Sequence, residues 1–227
     1  LPAIAGLELA HGAVIAQDLS SASGTAGTDV FRIAQQPRSS YEVVVDAASG
    51  DVSPALLERL AADLSTVLQP GDAVGTGTGR SLRWANTSTT AVVNQAVRVR
   101  STGCGSDCGT DDTYRVRAWE TTVAIPRFNQ SGTQGTVLVV QNRTTRTVVA
   151  RAYFWSTAGT LLGQSPLTLG ARETLVLNVA TVAGVTGQSG SITIAHDAGY
   201  GGLAGKAVAL EPSTGFSFDS PMTDRAR

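Results

Sequence analysis

The sequence contains few of the residues that catalysis and metal binding most often use. It has two histidines (His11 and His196), two cysteines and a single lysine, Lys206, among 227 residues. Its formal net charge of −1 provides no concentrated positive field of the kind that non-specific nucleic-acid binding needs. It also lacks an apolar run of the ~18 residues that a transmembrane helix requires. We therefore expect neither a nucleic-acid partner nor a membrane span.

Familiar catalytic motifs are absent as well. The sequence contains no Gly-x-Ser-x-Gly elbow, no His-Glu-x-x-His helix and no phosphate-loop lysine. His196 precedes Asp197, but a catalytic triad also needs an activated nucleophile. Acid–base catalysis would depend on carboxylates alone, as in a glycosidase. We expect a protein without enzymatic activity, and a carboxylate hydrolase is the catalytic alternative.

The abundant residues favour β-strands joined by tight turns. Gly, Ser, Thr, Ala and Val dominate, whereas Glu, Lys, Met and Gln are sparse. Side chains alternate with period two over residues 41–47, 92–100 and 113–120, which predicts strands. We interpret the last two segments as the arms of a hairpin, with valines on one face and arginines on the other.

Residues 53–69 are compatible with two interpretations. Ser53-Pro54 is a good helix start, and four leucines follow at helical spacing. Asp63 and the three residues after it could equally form a turn between two short strands. The local pattern by itself favours the helix.

A second series of strands begins at residue 136. The polar segment before it, 121–134, is interpreted as the passage between two modules. The chain is therefore predicted to be all-β, with two tandem β-sandwich modules at residues 1–121 and 122–227. The strands of the second module are expected at 136–141, 147–155, 161–169, 174–179, 191–196 and 206–211.

Three segments of the first module together resemble a bacterial pre-peptidase C-terminal domain. They are residues 29–33 (DVFRI), 41–45 (YEVVV) and 112–116 (DTYRV). The resemblance covers about residues 7–121. It implies a small jelly-roll-like sandwich of the kind appended to secreted enzymes and surface proteins. It also implies that residues 55–69 form two strands, and on that ground we predict strands there.

The second module is similar to an immunoglobulin-like repeat of bacterial surface proteins. The similarity lies in residues 138–142 (LVVQN), 154–159 (FWSTAG) and 175–179 (LVLNV). It implies an immunoglobulin-like sandwich, and such modules act as spacers, adhesive units or assembly units.

A short loop carries Cys104 and Cys108. Zinc needs about four ligands, and no second cysteine pair or local histidine is present, so a disulfide is favoured. The neighbouring Asp107, Asp111 and Asp112 could bind calcium through their oxygens, or they could be solvated residues that cap turns. We favour the capping interpretation and expect no cofactor, with calcium as the alternative.

Aromatic residues and sequons suggest two further kinds of site. Three tryptophans and nearby tyrosines could stack on sugars, although aromatics make up only 5% of the chain, which favours a core role. Asn-x-Ser/Thr sequons occur at Asn86, Asn129 and Asn142, where glycans could be attached.

The start of the chain suggests both export and assembly. It opens Leu-Pro-Ala, as a chain would after signal-peptide removal, so we expect a secreted, extracellular or cell-surface protein. The apolar segment with Pro2, Ile4, Leu7 and Leu9 could complete the sheet of a neighbouring subunit, or it could pair within its own sandwich.

The favoured function is therefore structural or adhesive. We expect a non-catalytic subunit of a cell-surface or filamentous assembly, held by strand exchange or sheet-edge contacts. Its partners would be further copies or other surface proteins. The alternative is a carbohydrate-binding or accessory module of a secreted enzyme system.

Overall fold

The computed structural model describes residues 6–20, 27–52, 55–74, 78–101 and 109–225. The chain folds as two compact units, Leu1–Glu120 and Thr121–Arg227. Within the described residues nearly all regular structure is β-strand, so the all-β prediction is confirmed. No helix among them is long and apolar enough to cross a membrane.

Two sheets face each other in the first unit, and their inner side chains form one core. Phe31 and Val97 from one sheet pack with Val43, Leu82 and Tyr114 from the other. The strands are β1 (Leu7–Glu8), β2 (Val14–Asp18), β3 (Thr28–Gln35), β4 (Ser39–Ser49), β5 (Ala55–Leu60), β6 (Val67–Pro70), β7 (Asp72–Ala73), β8 (Arg80–Asn86), β9 (Val93–Ser101) and β10 (Thr113–Glu120). Their order is β1-β3-β9-β5-β6 in sheet 1 and β2-β10-β4-β8-β7 in sheet 2.

Strands β5 and β6 replace the helix that the leucine spacing favours. They pair antiparallel, with Leu60 opposite Val67. Between them Asp63 accepts hydrogen bonds from the backbone of Ser65 and Thr66, both at 2.9 Å. Leu64 adopts a left-handed φ of 60°, which breaks any helix. The prediction of two strands with a turn at Asp63 is confirmed.

The predicted hairpin between residues 92–100 and 113–120 is wrong. Strand β9 lies in sheet 1 between β3 and β5, whereas β10 lies in sheet 2 between β2 and β4. The connection between them therefore crosses from one sheet to the other. The inward faces were predicted correctly, because alternation fixes which side chains point to the core and not which strand is the partner.

The second unit is also a sandwich of two sheets. Leu138 and Val140 from one sheet share a core with Phe128, Phe154 and Ile194 from the other. The elements are β11 (Val123–Asn129), β12 (Gly135–Asn142), β13 (Val148–Ser156), β14 (Leu161–Leu169), β15 (Thr174–Asn178), a 3₁₀ turn (Val179–Thr181), β16 (Ser189–His196), β17 (Leu203–Glu211), β18 (Phe216–Pro221) and β19 (Thr223–Asp224). The order is β14-β13-β16-β11-β19 in sheet 3 and β15-β12-β17-β18 in sheet 4.

The strand pairing of this unit differs from that of an immunoglobulin domain. In an immunoglobulin sandwich the first strand pairs with the second, and the seventh with the sixth. Here the first strand, β11, pairs with β16, and the seventh, β17, pairs with β12. The second unit is therefore a β-sandwich, and its predicted immunoglobulin-like topology is not confirmed.

Candidate functional site

The outer face of sheet 4 is aliphatic. Leu138 and Val140 of β12 are fully buried, so Val137 and Val139 point to the opposite, outer side. Val139 lies directly across from Val176 of β15. We call this surface the valine face; it consists of Val137, Val139, Val176, Val208 and Leu210, and Val137 pairs with Val208 across β12 and β17.

The valine face is open to solvent and nearly uncharged. Val176 is 64% exposed and Leu210 is 46% exposed. Lys206 and Asp219 lie on the same outer face, directly across from Val139 and Val208, and form an ion pair whose charges cancel. The largest exposed apolar patch of a soluble protein often marks an interaction surface.

A polar pocket of about 460 Å³ lies in the same unit, beside a bulge in β11. Between Ile125 and Phe128 the pairing of β11 with β16 shifts register. Pro126 lies in the bulge and has no N–H to donate to a neighbouring strand. The N–H of Arg127 donates instead to the hydroxyl of Ser220 at 3.1 Å. We call this cavity the bulge pocket.

The bulge pocket combines one cation with several hydroxyl groups. The Arg127 guanidinium lies 4.4 Å from the centre of the Phe218 ring, a cation–π contact that orients it. The hydroxyls come from two segments, the end of β13 with the turn that follows and the start of β16, and no carboxylate lines the cavity. The polar lining side chains are Arg127, Asn129, Ser156, Thr157, Ser189 and Ser191.

The linings of three cavities contain no acidic side chain. The bulge pocket and two others, of about 290 and 400 Å³, have no carboxylate in their linings. His196, the histidine beside an acid, is fully buried and its Nδ1 accepts a hydrogen bond from the Ala198 N–H at 3.2 Å. It therefore lies in the core of the second unit.

The aromatic side chains that could stack on sugars differ in burial. Trp84 is buried and stacks on Tyr41, with ring centroids 5.9 Å apart. Trp155 is half-buried on sheet 3 and donates a hydrogen bond to Thr193 at 2.8 Å. Tyr200 is 46% exposed. The predicted core role is right for Trp84, whereas Trp155 lies on an outer face.

The N-terminal segment pairs within its own unit where the structure describes it. Strand β1 runs parallel to β3, with Leu7 opposite Phe31. Leu9 is buried in the core and its N–H donates to the Arg32 carbonyl at 2.8 Å. Leu7 and Leu9 are thus already paired with their own sheet, which corrects the donor-strand prediction for them. Pro2 and Ile4 lie outside the described residues.

The acidic loop is described only in part, since Cys104, Asp107 and Cys108 lie outside the described residues. Asp112 is buried, and both of its carboxylate oxygens accept backbone hydrogen bonds, from Asp51 at 2.7 Å and Gly109 at 2.9 Å. No cluster of three potential metal ligands occurs in the described ranges. Through its two hydrogen bonds Asp112 caps this loop.

We expect Asp112→Asn to lower the stability of the first unit equally in calcium and in a chelator. An amide retains one acceptor and places a donor against a backbone N–H, which costs about 1–3 kcal/mol. Scanning calorimetry with added calcium and with EDTA measures both effects. A wild-type transition that falls by several degrees on chelation would instead favour the calcium site.

Two of the three sequon asparagines are buried. Asn142 is completely inaccessible and Asn86 is 9% exposed. Each amide nitrogen, where a glycan would be attached, already donates to backbone carbonyls. The folded chain has no room for a glycan on either, which corrects those predictions. Asn129 is half-buried and remains a predicted acceptor.

The sequon pattern has a structural explanation in this fold. In all three, the asparagine Oδ1 accepts the backbone N–H of the residue two positions later, at 2.9–3.1 Å. This is an Asx turn, in which the side chain takes the place of a backbone carbonyl. Ser or Thr at that position adds a hydroxyl that bonds to the same oxygen in two of the cases.

Comparison with known proteins gives no family. No family model matches the chain, and no curated protein matches it. One similar solved structure is the pre-peptidase C-terminal domain of collagenase from Bacillus anthracis, with a TM-score of 0.37 and 13% identity over 50% of this chain and 94% of that one. Another is a β-glucuronidase from Bacteroides uniformis, with a TM-score of 0.23 and 12% identity over 87% of this chain and 26% of that one.

Both likenesses are distant. The collagenase domain belongs to the family that the first module resembles in sequence. This chain spans about a quarter of the glucuronidase. Because both TM-scores lie below 0.5, neither carries an argument about function. The fold defines the chain as a protein of two β-sandwich units, on the strand pairing given above.

Proposed function

We propose that this protein is a non-catalytic extracellular structural or adhesive protein that pairs with a second copy of itself through the valine face. The observation that carries the proposal is the open aliphatic surface of sheet 4. Its extracellular location is supported by the sequence pattern of the first module. The second unit supplies the surface through which two copies would associate. This association does not require exchange of the N-terminal strand.

Area and charge favour a second copy as the occupant. Four strands about 4.8 Å apart and about eight residues long give a face of roughly 500 Å². Two such faces would bury about 1,000 Å² in total, the lower limit of a specific interface. The balanced pair of Lys206 and Asp219 leaves no net charge to repel an identical face. Aliphatic side chains of two sheets would then interdigitate as in a sandwich core.

We expect Val176→Lys to convert the dimer to a monomer. The change places an ammonium group within the contact, on the edge strand β15. Burying it unpaired costs several kcal/mol, which weakens association more than tenfold. Sedimentation velocity across the micromolar range measures it. Val176 is 64% exposed, so the monomer fold should tolerate the change.

Val149→Lys is the matched control. Val149 is 57% exposed and lies on a strand of sheet 3, outside the valine face. It should leave the dimer intact. A wild-type chain that sediments as a monomer throughout, or equal effects of the two lysines, would overturn the proposal.

A further inference from the structure

We propose that the bulge pocket binds a hydroxylated carboxylate of monosaccharide size, such as an acidic sugar. This site is separate from the valine face and does not depend on it. Its volume of about 460 Å³ falls within the range of small-molecule sites. The pocket combines an oriented arginine, a set of free hydroxyls and a backbone that only glycine permits.

The cation of the pocket has no counter-charge. Within the part of the chain that the structure describes, Arg127 forms no ion pair, and no acidic residue lines the cavity. Most arginines of the first unit do have acidic partners, as Arg98 and Arg100 have in Glu58. The planar guanidinium stacked on Phe218 can present two parallel N–H groups to a carboxylate.

The hydroxyl groups suit a polyol rather than a simple anion. The side chains of Thr157, Ser189 and Ser191 line the pocket and form no hydrogen bond with other described residues. Each can donate one hydrogen bond and accept two, which matches the hydroxyls of a sugar. A small inorganic anion would leave most of this volume and most of these groups unused.

Gly190 lines the pocket where β13 and β16 approach each other closely. Gly190 pairs with Ser156, and a Cβ at position 190 would collide with the Trp155 carbonyl. Any other residue would therefore push β13 and β16 apart. The bulge in β11 lies beside the pocket. Bulges commonly redirect side chains at binding sites, and here Arg127 in the bulge lines the cavity.

The test is a titration of the ¹⁵N-labelled full chain followed by amide chemical shifts. D-glucuronate should shift the amides of Thr157, Gly190 and Ser191 in a saturable manner. Glucose, which lacks the carboxylate, and inorganic phosphate, which lacks the sugar hydroxyls, should bind at least tenfold more weakly. Equal shifts with glucose would show that Arg127 does not recognise the carboxylate. Equal shifts with phosphate would show that the pocket binds any small anion. Either result overturns the proposal.

Two variants separate binding from folding. Arg127→Gln should weaken glucuronate binding at least tenfold while the spectrum shows an intact fold. Arg143→Gln removes the same charge from an exposed position outside the pocket lining and should bind like wild type. Undiminished binding by Arg127→Gln, or no saturable shift in wild type, would overturn the proposal.

Discussion

Replacing Asn142 by aspartate is expected to destabilise the second unit by about 3–5 kcal/mol, which for a domain of about 100 residues lowers its melting temperature by more than about 12 °C. The residue is completely buried at the end of β12. Its Nδ2 donates to the carbonyls of Arg146 at 2.6 Å and Gly170 at 2.7 Å, with Leu169 at 3.3 Å.

The cost arises because the change reverses the role of one atom. In aspartate an oxygen replaces Nδ2 and faces carbonyl oxygens from two separate turns. These carbonyls lose their donor, and a charge is buried among them without a partner. The other oxygen still accepts the Thr144 N–H, so the Asx turn itself remains and the loss belongs to Nδ2 alone.

Asn129→Asp is the matched control for this prediction. Asn129 also closes an Asx turn, through Ser131, but it is half-buried and its Nδ2 donates to the flexible side chain of Gln134. We expect a loss of about 1 kcal/mol or less there. Scanning calorimetry of the full chain compares the two. Equal shifts, or an Asn142→Asp protein within a few degrees of wild type, would contradict the assigned role of Nδ2.

The strands could be predicted from the sequence, whereas their partners could not. Alternation identified β4, β9 and β10 and their inward faces, because the period of two belongs to the backbone itself. The same alternation is satisfied whether β10 pairs with β9 or with β4. The choice depends on packing between residues far apart in sequence, such as Tyr114, whose hydroxyl donates to Asp29. Local pattern carries no record of that contact.

The sequence contains weaker signals for the two candidate sites than for the strands. Pro126 belongs to the segment 121–134, which is interpreted from the sequence as the passage between modules, and it lies in the bulge of β11. A proline inside a strand signals an edge or a bulge, so this clue was present. Residues 137–140 of β12 are apolar without interruption, which is typical of a strand that is covered on both faces. That run is the sequence signal for the valine face. No local sequence pattern indicates that Arg127 lies over Phe218.

Acid is expected to lower the stability of the second unit through His196. Burial lowers the pKa of this histidine to about 4 from its ordinary value of 6.5, and the backbone groups of Thr121 and Ala198 and the charge of Asp224 offset only part of that shift. In the unfolded chain the ring takes up a proton near pH 6.5, whereas in the folded unit it stays neutral until about pH 4.

The sign follows from proton uptake. Between pH 6.5 and 4 the unfolded state binds more protons than the folded state, so the free energy of unfolding falls as the pH falls. The contribution of His196 is fully present above pH 6.5 and is lost by about pH 4, a total of about 3 kcal/mol. Urea unfolding of the full chain at a series of pH values measures it on the transition of the second unit.

His196→Asn removes the titration and keeps the local hydrogen bond. The asparagine Oδ1 can accept the Ala198 N–H that the histidine Nδ1 accepts at 3.2 Å. The variant starts at lower stability at neutral pH, because it fills the buried site less well. The decisive quantity is the loss of unfolding free energy between pH 6.5 and 4. The variant should lose about 3 kcal/mol less than wild type over this range. If stability fell equally with pH in the two proteins, His196 would take up its proton at the same pH in the folded and unfolded states. That result would contradict an imidazole that burial keeps neutral.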